Sequence, residues 1–243
     1  MKTIKFLGRM IIVLLCCYAT TSCKKDKDEE TKDFEIQENG LTRDINELIP
    51  EAILEAMEDL GMPINYGGNP PLDITGAYLV SPQILVASNI PDDLSHIGHQ
   101  FNDQNLTLSE QNNNTLTIKV QTAQGETSGE GEGAYLVGSG SKFTIFCLIT
   151  HQIDDEHTCK TVDVYSGEIT SGGIKDFYSS FVMVEGGGSQ WDLVEDGQGR
   201  LVRDENGMAS RITTSKSAKS FIYSGESELP TKEQMPGSMS VLR

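Results

Sequence analysis

Between Ile74 and Val184 the apolar residues recur at every second position, in segments too short for helices. This periodicity dictates a β-rich fold. The segments are residues 74–80, 83–87, 115–121, 133–137, 142–150, 158–168 and 176–184. Each is rich in Val, Ile, Thr, Tyr or Phe, and clusters of Gly, Asn, Asp and Ser separate them. Asn206-Gly207, flanked by residues 201–202 and 208–212, predicts a hairpin turn with positive φ at both central residues. Residues 220–224 predict a last strand. Consecutive strands with short turns and no helices between them imply a mainly β fold: an antiparallel up-and-down meander, closed as a barrel or folded as a sandwich. Residues 89–114 read as a loop, or as a loop with one strand near residues 101–108.

One helix precedes the strands, over residues 50–60. Ile49, Ile53, Met57 and Leu60 form a single apolar stripe. Pro50 suits the first turn, Gly61 suits the position after the last, and Pro63 blocks continuation. So short an amphipathic helix must close its stripe over something else. Residues 65–71 then read as a rigid connection rich in turn residues.

The chain opens with Lys2, Lys5 and Arg9, followed by an apolar run over residues 10–19 and then Thr20-Thr21-Ser22-Cys23. A basic start, a short apolar stretch and small residues describe an export signal over residues 1–22. The run is shorter than the roughly 20 residues that span a bilayer. Small residues followed at once by cysteine resemble a bacterial lipobox. That resemblance implies lipidation of Cys23 as the mature N-terminus, and with it a membrane attachment through the lipid. Residues 23–48 are dominated by charge and read as the lipidated cysteine and a disordered tether. The acidic cluster directly after Cys23 resembles the surface-export signal of lipoproteins in the Bacteroidota. Residues 49–225 make one β-rich domain, and residues 226–243 a flexible tail.

Ile74-Thr75-Gly76-Ala77-Tyr78 resembles the opening strand of lipocalin-like, or calycin-like, proteins, where a glycine and an aromatic residue begin the barrel. With the lipobox, the helix and the turn-rich meander, the chain is similar to outer-membrane and surface lipoproteins of the Bacteroidota. The resemblance implies a lipid-anchored outer-membrane protein, facing the cell surface or the periplasm. It also implies a barrel that holds a ligand in its mouth, in a cavity of about several hundred Å³.

The net charge of −17 becomes −20 when the signal leaves, because residues 1–22 carry three basic and no acidic groups. That balance disfavours nucleic acid and phosphate surfaces, and leaves divalent cations or a cationic surface open. Cys147 and Cys159 remain as an even pair in an oxidising compartment, symmetric about Ile153, and predict a cross-strand disulfide. His151, Asp154, Asp155, Glu156 and His157 crowd one turn without a recognised zinc spacing. His96 and His99 lie in the long loop. Asp192, Glu195, Asp196 and Asp204 raise calcium but lack the EF-hand pattern. Gly129-Glu-Gly-Glu-Gly133 and Gly138-Ser-Gly140 read as turns at strand ends, since no helix follows to hold a phosphate. Trp191 follows a glycine-rich stretch and suits a rim contact or a core plug.

No serine has a nucleophile-elbow context, and no cofactor motif or metal site is present. The sequence therefore points away from an enzyme, toward a non-catalytic binding module for a small apolar or amphipathic ligand. The alternative is an accessory component of an outer-membrane or cell-surface assembly, whose mark would be an exposed apolar patch.

Overall fold

The computed structural model describes residues 34–125, 127–152, 158–191 and 193–212. Cys23, the export signal, the first part of the tether, Asp154 to His157, Asp192 and everything from residue 213 onward lie outside the described residues.

Among the described residues one sheet holds twelve strands. They are β1 (Gly68–Pro71), β2 (Gly76–Val80), β3 (Gln83–Ser88), β4 (Gln100–Phe101), β5 (Gln104–Asn112), β6 (Thr117–Gln124), β7 (Thr127–Gly140), β8 (Lys142–Gln152), β9 (Thr158–Thr170), β10 (Gly173–Glu185), β11 (Gly199–Asp204) and β12 (Met208–Arg211). Registers show that several of these are halves of longer strands. β11 and β12 lie end to end along β10, through Tyr178↔Arg203 and Lys175↔Met208. β2 and β3 lie end to end against β12 and β11, and β5 and β4 continue one register against β2 and β3. The sheet therefore closes on itself as a ring of eight antiparallel strands in meander order, with the β11–β3 pairs and with Ser210↔Leu79 and Arg211↔Tyr78 along the closing seam. β1 adds to the lower end of β7 in parallel.

Asn206-Gly207 accordingly makes a jog within one long strand, where the sequence predicts a hairpin. The cause is Asp204, which is 1 % exposed. Its carboxylate accepts from the Asn206 and Met208 amides and from Ser81 N on the neighbouring strand. Those bonds hold the jog in register beside Ser81-Pro82, and only Gly207 takes a positive φ, +73°.

The glycine repeat differs too. Gly129 and Gly131 lie inside β7, which needs their missing side chains rather than their turn-forming freedom. A Cβ on Gly131 would stand 3.0 Å from Cys147 Cβ, and one on Gly129 would stand 2.9 Å from Ile149 Cγ2. Both glycines thus make room for bulkier residues on β8.

The ring is filled from within by one apolar cluster drawn from all eight strands, including Tyr78, Leu106, Val120, Leu136, Phe143, Tyr165, Phe177 and Ala209. Each large side chain buried this way contributes about 1.5–3 kcal/mol. The opposite face of β7 to β11 presents Val137, Phe146, Val164, Val182 and Leu201 outward. Two helices cover it: α1 (Arg43–Leu48) and α2 (Glu51–Asp59), through Ile45, Ile49, Ile53 and Met57. α2 and the positive φ of Gly61 match the sequence reading, with Pro50 as the residue before the first turn. α1 corrects the tether, which the sequence extends as disorder to residue 48. Leu41, Ile45 and Ile49 continue the α2 stripe, and Thr42 Oγ1 accepts from Ile45 N to start the helix.

Candidate functional site

The two ends of the ring differ. At one end the connections are tight: residues 113–116, Ser141 and residues 171–172. At the other end two long segments cross the opening. Residues 89–99 carry the 3-10 turn Pro91–His96, and residues 186–198 carry the 3-10 turn Ser189–Trp191. Long connections held by a rigid scaffold are where binding residues concentrate.

Ile90 from the first segment and Leu193 and Val194 from the second pack on Cys159 and Met183, which closes the opening from above. Between the segments a groove of about 510 Å³ remains. Its apolar lining comes from Ile90, Pro91, Leu193 and Val194, and its polar lining includes Asp92, Asp93, His96, Glu195 and Arg200. Polar bonds brace the walls: Glu195 Oε1 accepts from Ser189 N at 3.1 Å, and Asp196 Oδ1 accepts from Gly187 N at 2.9 Å.

Arg200 forms the floor. Its guanidinium donates to Asp93 through Nε at 2.5 Å and Nη2 at 3.0 Å, and lies 5.7 Å from the Phe101 ring centroid. Both partners are nearly buried, at 6 % and 13 % side-chain exposure. Burial pushes the Asp93 carboxyl up, but the bonds from Arg200 and Ser88 outweigh it and hold it below the usual carboxylate range. This pair ties the first crossing segment to β11.

Beneath Arg200, inside the ring, the wall turns polar. Gln83, Gln104, Gln124, Asp163 and Tyr165 surround a cavity of about 40 Å³. That is room on the scale of one to three waters. Among the described residues this inner cavity is far smaller than the several hundred Å³ expected inside a barrel, because aromatic and branched side chains occupy the ring and the amides bond to one another. Gln124 Nε2 donates to Gln83 Oε1 at 2.5 Å and Gln83 Nε2 to Gln104 Oε1 at 3.3 Å.

Asp163 accepts from Thr161 Oγ1 at 2.7 Å and Tyr165 OH at 3.0 Å, while Thr161 Oγ1 meets His151 Nε2 at 2.9 Å. Since the Thr161 proton goes to Asp163, His151 Nε2 donates, and Nδ1 carries the lone pair. Among the described residues that Nδ1 has no hydrogen-bond partner. Burial raises the Asp163 carboxyl against the pull of His151, Thr161 and Tyr165, and burial lowers His151 against the pull of Asp163.

Of the residues singled out in the sequence, His151 lies in this inner network, away from the groove. His96 lines the groove, and His99 packs edge-on against Phe101 at 5.1 Å. Cys147 and Cys159 are free and buried. The β8–β9 register pairs Cys147 with Asp163 and Cys159 with His151, so the hairpin centres on residue 155 instead of 153. The two thiols are therefore four positions apart along the ladder, roughly 13 Å, beyond disulfide reach. The Asp93–Arg200 pair and the Asp163 network escape a sequence reading that takes acidic residues as surface. The available signal was Asp163 alternating in phase with Thr161 and the inward-facing Tyr165 along the strand.

The chain matches no family model, no curated protein and no solved structure. Fold and site therefore carry the functional argument on their own.

Proposed function

We propose that the chain is a bacterial envelope lipoprotein, anchored through Cys23 and facing the cell surface, whose ring is a lipocalin-like barrel serving as a non-catalytic binding module. The ligand is small and amphipathic, and it binds across the mouth rather than inside the barrel. The observation that carries this reading is the groove of about 510 Å³, with apolar walls and a carboxylate rim. Small-molecule sites fall at about 300–1,000 Å³ and combine apolar lining with a few placed polar groups. Exposed Leu94 and Ile97, beside the groove, favour a second reading as an accessory component of a surface assembly.

Native mass spectrometry of residues 24–243, gently purified from a bacterial host, tests the first reading. An added small mass lost on activation is the expected result. A bare chain, together with crosslinking of Leu94-side residues to a neighbouring protein in intact cells, moves the assignment to the second. Anchoring is tested by metabolic labelling with an acyl-chain analogue, which Cys23→Ala abolishes. Cleavage of the tether by protease added to intact cells checks the outward orientation.

A further inference from the structure

We infer that the mouth groove selects a small amphiphile bearing a positive charge, an alkylammonium in the simplest case; this rests on the binding reading above. Among the described residues three carboxylates, from Asp92, Asp93 and Glu195, line the groove against one guanidinium, from Arg200. Arg200 is bonded to Asp93 through both Nε and Nη2, so the positive charge of the floor is already neutralised within the protein. Asp92 and Glu195 are left at the exposed rim. The groove thus presents net negative charge beside exposed Pro91 and the uncovered edges of Ile90, Leu193 and Val194, which are otherwise buried.

An alkyl chain lying along Pro91 and those edges places its head group between the two rim carboxylates. An anionic head meets repulsion from both, and reaches Arg200 only by displacing a buried bidentate carboxylate, which is costly. A neutral head gains the apolar contact alone. The field of the whole chain acts in the same sense, since a net charge of −17 steers cations toward it.

The test uses residues 24–243, which contain every described residue. Titration calorimetry compares dodecyltrimethylammonium, dodecyl maltoside and dodecyl sulfate, each below its micelle concentration. The cation is expected to bind at least about tenfold more tightly than the sulfate. Joint Asp92→Asn and Glu195→Gln substitution, which keeps shape and hydrogen-bonding capacity, is expected to weaken the cation about tenfold and leave the maltoside unchanged. Equal or tighter binding of the sulfate or maltoside overturns the charge selection while leaving the groove as a binding site. Cation binding that ignores the double substitution overturns it as well, by showing diffuse attraction to an acidic chain. Failure of all three amphiphiles to bind removes the binding reading on which the inference stands.

Discussion

Arg211, the last residue of β12, closes over Tyr78 in β2: its guanidinium carbon lies 4.9 Å from the ring centroid and Nη2 donates to the phenol oxygen at 2.8 Å. Tyr78 OH in turn donates to the Ile74 carbonyl at 2.7 Å, and Arg211 Nη1 donates to the Thr75 carbonyl at 2.9 Å. The last described strand is thereby bolted to the approach of the first in the ring. Glycine suits residue 76, because its φ is +152° and a Cβ there would push the Arg211 guanidinium out of these bonds.

Arg211→Ala is expected to cost about 2–4 kcal/mol, from two charge-assisted hydrogen bonds and a cation–π contact at a half-buried site. Urea unfolding of Arg211→Ala, Tyr78→Phe and the double variant measures it. A coupling energy near zero between the two positions would show that the ring closes without this contact.

The strands were legible because alternation is a local property: 142–150 and 158–168 need no partner to be recognised. What joins to what was less so. Asn206-Gly207 has the composition of a hairpin, and only the Asp204 carboxylate, accepting from Met208 N along its own strand and from Ser81 N across to the neighbour, turns it into a jog. Cys147 and Cys159 look symmetric about Ile153, yet register is set by the facing side chains over the whole hairpin, and a shift of two residues in its centre separates them. The groove was the least legible part. Ile90, Leu193 and Arg200 come from separate segments, and nothing in any one of them marks the others as neighbours.

Asp93→Ala removes the carboxylate that both Arg200 Nε and Nη2 donate to at a nearly buried site. Removing one member of a buried pair typically costs about 3–5 kcal/mol. The loss is expected to be local first: amide hydrogen exchange rises across residues 89–97, whose 3-10 turn buries no apolar side chain, while β8 and β9 stay protected. Uniform deprotection of the sheet would show that the pair supports the whole ring instead of one crossing segment.

Cys147 and Cys159 are expected to resist alkylation in the native chain. Burial raises the Cys147 thiol well above its ordinary value, and burial, helped by Asp196 and Asp163, pushes Cys159 up to about 11. The reactive thiolate is thus scarce at neutral pH. Iodoacetamide followed by peptide mapping should label both only as the chain unfolds, at the unfolding rate. A peptide pair two daltons light, linking the two cysteines, would overturn the register argument.

Asp163 sets a pH dependence whose sign is fixed by its burial. In the unfolded chain it titrates near 3.9, as an ordinary aspartate does. In the folded chain burial raises it, so between these two values the folded state binds more protons than the unfolded. Its contribution to stability therefore falls as pH rises through that window and is fully lost above it. Asp163→Asn removes the titration. Loss of the Asp163 charge also lowers His151 further, so the variant gives up more stability on acidification below about 6.5. Both effects have the same sign: the melting temperature of the variant, relative to the native chain, climbs as pH increases from about 4 to 7. Thermal unfolding at half-unit steps measures that difference. A flat or falling difference would mean that Asp163 is ionised and solvated in the folded chain, and that the inner cavity is open to water.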